Sequence, residues 1–209
     1  MIFKDRREAG KLLAKKLTKF RSKKAIVLGI PRGGVVVAFE ISKRLNIPLN
    51  IIMVRKISHP LHPEFGLGAI AEGNVQIFDK KTMESIGIGE KDLKDVLKKE
   101  KKELGRRIKV YRKLKPYPKL KEMNVILVDD GLATGVTAKA AIASVRKEDP
   151  SKIIFATPVA SEDISREIES LADNFLCLDR VAELSAISLW YEEFYPVEDK
   201  EVIKLLRQV

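Results

Sequence analysis

Apolar residues recur along this chain in two rhythms. Short unbroken runs at Ala25 to Ile30, Leu49 to Val54, Val125 to Val128, Ile153 to Ala156 and Phe175 to Leu178 lack polar alternation, and predict strands buried on both faces. Between them, apolar residues fall three and four apart, as on helices with one buried side. Ala9, Leu12, Leu13, Leu17 and Phe20 outline a first helix, which Asp5 can cap. Val35 to Leu45 predicts a second, stopped by Asn46-Ile47-Pro48. Leu93, Val96, Leu97, Leu104, Ile108 and Tyr111 stripe a long helix over Lys91 to Tyr111, closed by Pro116 and Pro118. Ala138 to Val145, a stretch from a Ser161 cap to about Leu171, and Glu198 to Leu206 complete the helices. Leu67 to Ala71 and Val75 to Phe78 flank Gly73-Asn74 and read as a hairpin. Ser58 to Glu64, with two prolines and two histidines, reads as a loop.

Strands alternating with helices predict an α/β fold, a doubly wound and mostly parallel sheet in one domain over 1–209. Residues of about 80–121 interrupt the alternation and read as a basic helical insertion. Sheets of this kind meet ligands at the carboxyl ends of their strands. That rule brings Pro31 to Gly34, Arg55-Lys56 and Asp129 to Thr137 to one rim.

Composition narrows the function classes. Apolar content of 45% is enough for a full core. No apolar run approaches the ~20 residues that span a bilayer, and the first residues lack the apolar stretch of a secretory signal. Cys177 stands alone, which excludes an internal disulfide and a Cys-based metal cluster. The expectation is a cytoplasmic protein with no membrane partner. Net charge is +11, and Lys91 to Lys121 holds fourteen basic against four acidic residues, nearly the whole excess. Such a segment is a solvated face or dimer surface, an attractor for an anionic substrate, or a nucleic-acid contact.

The richest chemistry follows the central run. Val125 to Val128 leads into Asp129-Asp130-Gly131-Leu132-Ala133-Thr134-Gly135-Val136-Thr137 and then an Ala-rich helix. A strand, a short loop and a helix N-terminus turn free N–H groups and the helix dipole toward one spot, as an anion needs. The glycines allow close approach, and the threonines add hydroxyl donors. Carboxylates repel that same anion, so Asp129 and Asp130 must serve a neighbouring polar group such as sugar hydroxyls or a cation. The plain alternative is a helix-capping turn with two solvated acids.

These thirteen positions resemble the fingerprint of type I phosphoribosyltransferases, which bind 5-phosphoribosyl pyrophosphate (PRPP). The resemblance implies that Ala133, Thr134, Gly135, Val136 and Thr137 cradle the 5-phosphate while Asp129 and Asp130 hold the ribose hydroxyls. It implies that Pro31, Arg32, Gly33 and Gly34 bind the pyrophosphate, with Arg55 and Lys56 beside them. By the same likeness, Arg55 to Glu64 is a mobile loop, and His59 and His62 are its proton-donor or leaving-group candidates. Segments of about 1–20 and 179–209 form a hood over the base, where Trp190 and Tyr191 are stacking candidates and a small aromatic core is the alternative. The likeness extends to a group of uncharacterised bacterial and archaeal phosphoribosyltransferases.

The implied reaction is transfer of the 5-phosphoribosyl group to an unidentified nitrogenous base, with loss of pyrophosphate, in nucleotide salvage. Arg55, Lys56, Asp129 and Asp130 would be the catalytic set. Mg²⁺ is the implied cofactor, held mainly through PRPP with Asp129 or Asp130 reaching it through water and no direct protein ligand. A homodimer is expected. The competing class is a PRPP-sensing, nucleic-acid-binding regulator without turnover, suggested by the basic helix; no helix-turn-helix or RNA-binding motif supports it. Gly66-Leu67-Gly68-Ala69-Ile70-Ala71 matches a dinucleotide fingerprint in letters only, since no helix follows.

Overall fold

The computed structural model describes residues 1–21, 24–62, 65–113 and 115–208. In chain order its elements are α1 (Arg6–Leu17), β1 (Ala25–Gly29), α2 (Gly33–Leu45), β2 (Leu49–Ile51), β3 (Val54–Ser58), β4 (Gly66–Ala71), β5 (Val75–Phe78) and α3 (Lys80–Ser85). Then follow α4 (Lys94–Arg112), β6 (Asn124–Val128), α5 (Val136–Arg146), β7 (Lys152–Ser161), α6 (Glu162–Leu171), β8 (Asn174–Val181) and α7 (Asp199–Leu206).

Five parallel strands form the main sheet in the order β2-β1-β6-β7-β8. Their side chains alternate between two cores, which is why the runs are apolar throughout. Val27, Ile126, Val128 and Ile154 face one core with α1, α2, α4 and α7. Ile26, Leu28, Val125, Leu127 and Phe155 face the other with α5 and α6. The fold is therefore α/β and doubly wound, as the alternation predicts. The capping expectations hold as well. Asp5 accepts from Glu8 N at 2.7 Å, Ser161 Oγ accepts from Ile164 N at 3.4 Å, and Asn46 ends α2 in the left-handed conformation.

The second strand differs from expectation. The run Leu49 to Val54 is split: β2 stops at Ile51, and β3 joins a separate antiparallel sheet, β3-β4-β5. Buried polar bonds fix the crossing. Met53 N donates to Glu72 Oε2 at 2.9 Å, and Arg112 Nε donates to Glu72 Oε1 at 2.9 Å while its Nη1 reaches Asn50 Oδ1 at 2.8 Å. Arg55 and Lys56 thus lie inside an antiparallel strand, on opposite faces, and not at the end of a parallel one. Ser58 belongs to β3, which shortens the expected loop; Pro63 and Glu64 lie outside the described residues. The β4–β5 hairpin is as predicted, with left-handed Gly73 and Asn74 at its bend. The short helix α3 was not expected. The chain's two ends meet: Phe3 bridges to Tyr191, and Phe3, Ala9 and Tyr191 form a third small core.

Candidate functional site

The main sheet changes direction between β1 and β6. The chain leaves β1 for α2 on one face and leaves β6 for α5 on the other, so a crevice opens beyond their carboxyl ends. Both glycine-containing loops lie there. Ile30 N donates to Val128 O at 2.9 Å, which joins the loops at their base. A Cβ on Gly34 would sit 2.7 Å from Val128 O, and one on Gly33 would sit 1.9 Å from Asp130 Oδ2. Only bare backbone fits between the loops, which gives Gly33-Gly34 a steric reason.

The second loop is pinned at Leu132, whose N–H donates to Val159 O at 2.9 Å. Gly135 then takes φ +68° just before α5, and Lys139 N donates to Gly135 O at 2.9 Å. Among the described residues no protein acceptor meets the N–H groups of Ala133 to Thr137. Thr134 is exposed and Thr137 half-buried. Free amides and the N-terminal end of the α5 dipole are the features an anion site needs.

Gly135 is the turn's most restrictive position. Left-handed backbone costs a non-glycine residue about 1–2 kcal/mol, and a Cβ would lie 2.7 Å from Ile164 Cγ2. Gly135→Val is expected to lower unfolding free energy by about 2 kcal/mol or more. Urea unfolding checks it; an unchanged midpoint would contradict this reading of the turn.

The acid pair is asymmetric. Asp129 is buried, and burial followed by the neighbouring Asp130 charge pushes its carboxyl well above the usual range. Asp130 is held by Arg6, whose Nε donates to Asp130 Oδ2 at 2.6 Å. Arg6 Nη1 donates to Tyr195 O at 2.9 Å, and its Cζ lies 3.7 Å from the Phe194 ring centroid. The Tyr191 hydroxyl donates to Asp130 O at 2.7 Å, and burial raises its phenol further above the ordinary value. Sequence reasoning missed Arg6: its partner is 124 residues away, and α1 gives no local sign of the pairing.

The sequence model of the phosphoribosyl transferase domain matches residues 3–185. The chain belongs to that family. It is 36% identical over 205 residues to a Mycobacterium tuberculosis H37Rv protein named "putative phosphoribosyl transferase", covering 98% of this chain and 46% of that protein. The chain thus spans about half the length of its curated relatives. It is also similar to the crystal structure of TT1426 from Thermus thermophilus, at 35% identity and TM-score 0.81 over 100% of this chain and 99% of the other. The Pyrococcus horikoshii purine phosphoribosyltransferase shares the fold, at 19% identity and TM-score 0.52 over 91% of this chain and 90% of that one.

The remaining candidate residues of this family member are dispersed. Arg32 is exposed beside α7, 3.9 Å from Asp199, which also lies 3.9 Å from Arg106 and accepts from the Tyr111 hydroxyl at 2.7 Å. Arg55 is bound to Glu100 of α4 at 2.6 Å. Of the basic helix's acids, Glu100 thus ties it to β3, while Glu103 is paired within the helix, where hydrogen bonds from Arg106 and Arg107 hold its carboxyl down at about 2. His59 Nδ1 accepts from Leu61 N at 3.0 Å, and the His59 and His62 rings stand 4.9 Å apart at the hairpin tip. Tyr191 is not open to a flat ligand: it is 5% exposed, against Phe3 and Phe194. Trp190 is half-buried in the same cluster. Among the described residues, no helix is long and apolar enough to cross a membrane.

Proposed function

We propose that this phosphoribosyl transferase binds PRPP and moves its 5-phosphoribosyl group to a nitrogenous base, releasing pyrophosphate. The observation that carries the reading is the open amide cradle of Ala133 to Thr137, set next to an acid pair at the sheet's switch point. A phosphate in the cradle would place the pentose over Asp130, whose Oδ2 is taken by Arg6 and whose carboxyl borders Asp129. The C1–oxygen bond to pyrophosphate breaks and a C1–nitrogen bond forms, with the base's proton passing to solvent.

In this reading the chain's contribution is electrostatic. Arg32 and the Gly33-Gly34 amides face the leaving group, and Lys56 joins them from the β3–β4 hairpin. Arg55 would first have to leave Glu100. Preorganised donors of this kind contribute about 3–4 kcal/mol each to transition-state stabilisation.

The donor set fits Mg²⁺ held through the substrate. Mg²⁺ favours phosphate oxygens and retained water over protein cages, and the Asp129–Asp130 carboxylates are the oxygen donors next to the cradle. Asp129 or Asp130 would reach it through water. Bound there, it supplies Lewis-acid stabilisation to the departing pyrophosphate.

The test is PRPP and Mg²⁺ with a panel of purine and pyrimidine bases, read by pyrophosphate release. Release with at least one base is the expected result. Calorimetric PRPP binding with silence across the panel would favour the sensing reading. Absence of PRPP binding would end both.

A further inference from the structure

We propose that Arg6 is a positioning residue for the acid pair, holding Asp130 as an oriented carboxylate with one oxygen open and so linking the paired chain ends to ribose binding. The inference rests on the PRPP reading and adds a residue to its site. Two segments, each distant in sequence from α1, meet on this one guanidinium. Its Nε takes Asp130 Oδ2, its Nη1 takes the Tyr195 carbonyl, and its flat face lies on Phe194. The Arg6 and Asp130 side chains are 10% and 14% exposed, so the pair is shielded yet not sealed. Tyr191 fastens the Asp130 backbone from the same side through its hydroxyl.

This arrangement does more than tie down the ends. Nε takes only Oδ2, which anchors the carboxylate from one side and, in this proposal, turns Oδ1 toward a sugar hydroxyl. Gly33 packs against the ion pair itself: a Cβ there would sit 1.9 Å from Asp130 Oδ2 and 2.8 Å from Arg6 Nε, so nothing larger than hydrogen fits. Without Arg6, two adjacent aspartates would share one shielded corner with no cation, and like charges would drive a proton onto the pair. Arg6 supplies that cation to Asp130, while burial and the adjacent charge push the Asp129 carboxyl well above its usual range. The groups that face Asp130 are Arg6 from α1, Asp129 on its own loop and the Tyr191 phenol from the C-terminal segment. The α2 side presents only the uncharged Gly33. Asp5, the α1 cap, acts on this corner through Tyr191.

The experiment measures PRPP binding with Mg²⁺ by calorimetry from acid to neutral pH, on wild type, Arg6→Gln and Arg6→Lys, with melting temperatures recorded in parallel. In Arg6→Gln the affinity is expected to fall about tenfold to a hundredfold, and the pH below which binding fails is expected to move upward. Arg6→Lys keeps the charge without the fork, and is expected to restore the pH limb but only part of the affinity. Folded Arg6→Gln with wild-type affinity overturns the proposal. So does weaker binding with an unmoved pH limb, the signature of a merely structural residue. Should Arg6→Gln not fold, Arg6→Lys decides: a pH limb displaced as far as charge loss would displace it overturns the proposal. If wild type itself fails to bind PRPP, the PRPP reading falls and takes this inference with it.

Discussion

Asp130→Asn is expected to lower kcat/KM for PRPP by about a hundredfold or more, the loss typical of a preorganised polar contact, whereas Asp129→Asn costs less than about tenfold in the same assay. The asymmetry follows from the direction in which burial and the neighbouring charge push Asp129. Burial and the Asp130 charge both favour neutral Asp129, and an amide is close in shape to a protonated carboxyl. Asp130 carries the charge that Arg6 neutralises, and an asparagine there would leave a shielded guanidinium without its counter-ion. The double substitution is expected to behave like Asp130→Asn alone. Pyrophosphate release under steady-state conditions measures each effect. Equal damage from the two single changes would contradict this asymmetry.

The same assignment has a sign in stability. Asp129's folded-state value lies above its unfolded one, so its contribution favours folding below the ordinary carboxylate range. That contribution is lost as pH rises from there through the raised value. Asp129→Asn removes the titration, and is expected to flatten the stability profile across that window. Thermal melts across pH check it.

Local signals account for what the sequence discloses. Unbroken apolar runs could only be strands covered on both faces, and helical spacing between them forced helices onto both faces of one sheet. The rim followed from that topology, because the carboxyl ends of β1 and β6 collect whatever loops follow them. Gly33, Gly34 and Gly135 were legible as sites of close approach or special backbone, and the structure gives each a steric reason.

Long-range pairings were not legible. Leu49 to Val54 is equally apolar on both sides of Ile51, and nothing nearby announces that the chain changes sheets there. The cause is Glu72 and Arg112, distant residues that bury a polar crossing point. Arg6 was hidden for the same reason: a charged residue in a first helical turn is ordinary until its partner is known. The aromatic group near the C-terminus had two readings. Burial resolves Tyr191, which packs on Phe3 and hands its hydroxyl to the acid loop instead of offering a face to a base.

The Glu72–Arg112 crossing carries the largest expected stability effect. Their side chains are 7% and 12% exposed, and the carboxylate accepts from Arg112 on both oxygens while one also takes Met53 N. Arg112 further donates to the Ile51 carbonyl at 2.9 Å. One cluster thus satisfies the backbone where the chain leaves the parallel sheet for the antiparallel one. Removing one partner strands the other charge in a shielded site. Glu72→Ala is therefore expected to cost about 3–5 kcal/mol, a melting-temperature drop of about 6–20 °C for a chain of this size. Replacing both residues with leucine should recover much of that loss, since a well-packed apolar pair often substitutes for a buried ion pair. The β3–β4 hairpin hangs from this crossing and carries Arg55 and Lys56 on its opposite faces. Any loosening is therefore expected to weaken PRPP binding before the core melts. Glu72→Ala with a wild-type melting temperature would show that backbone pairing alone holds the two sheets together.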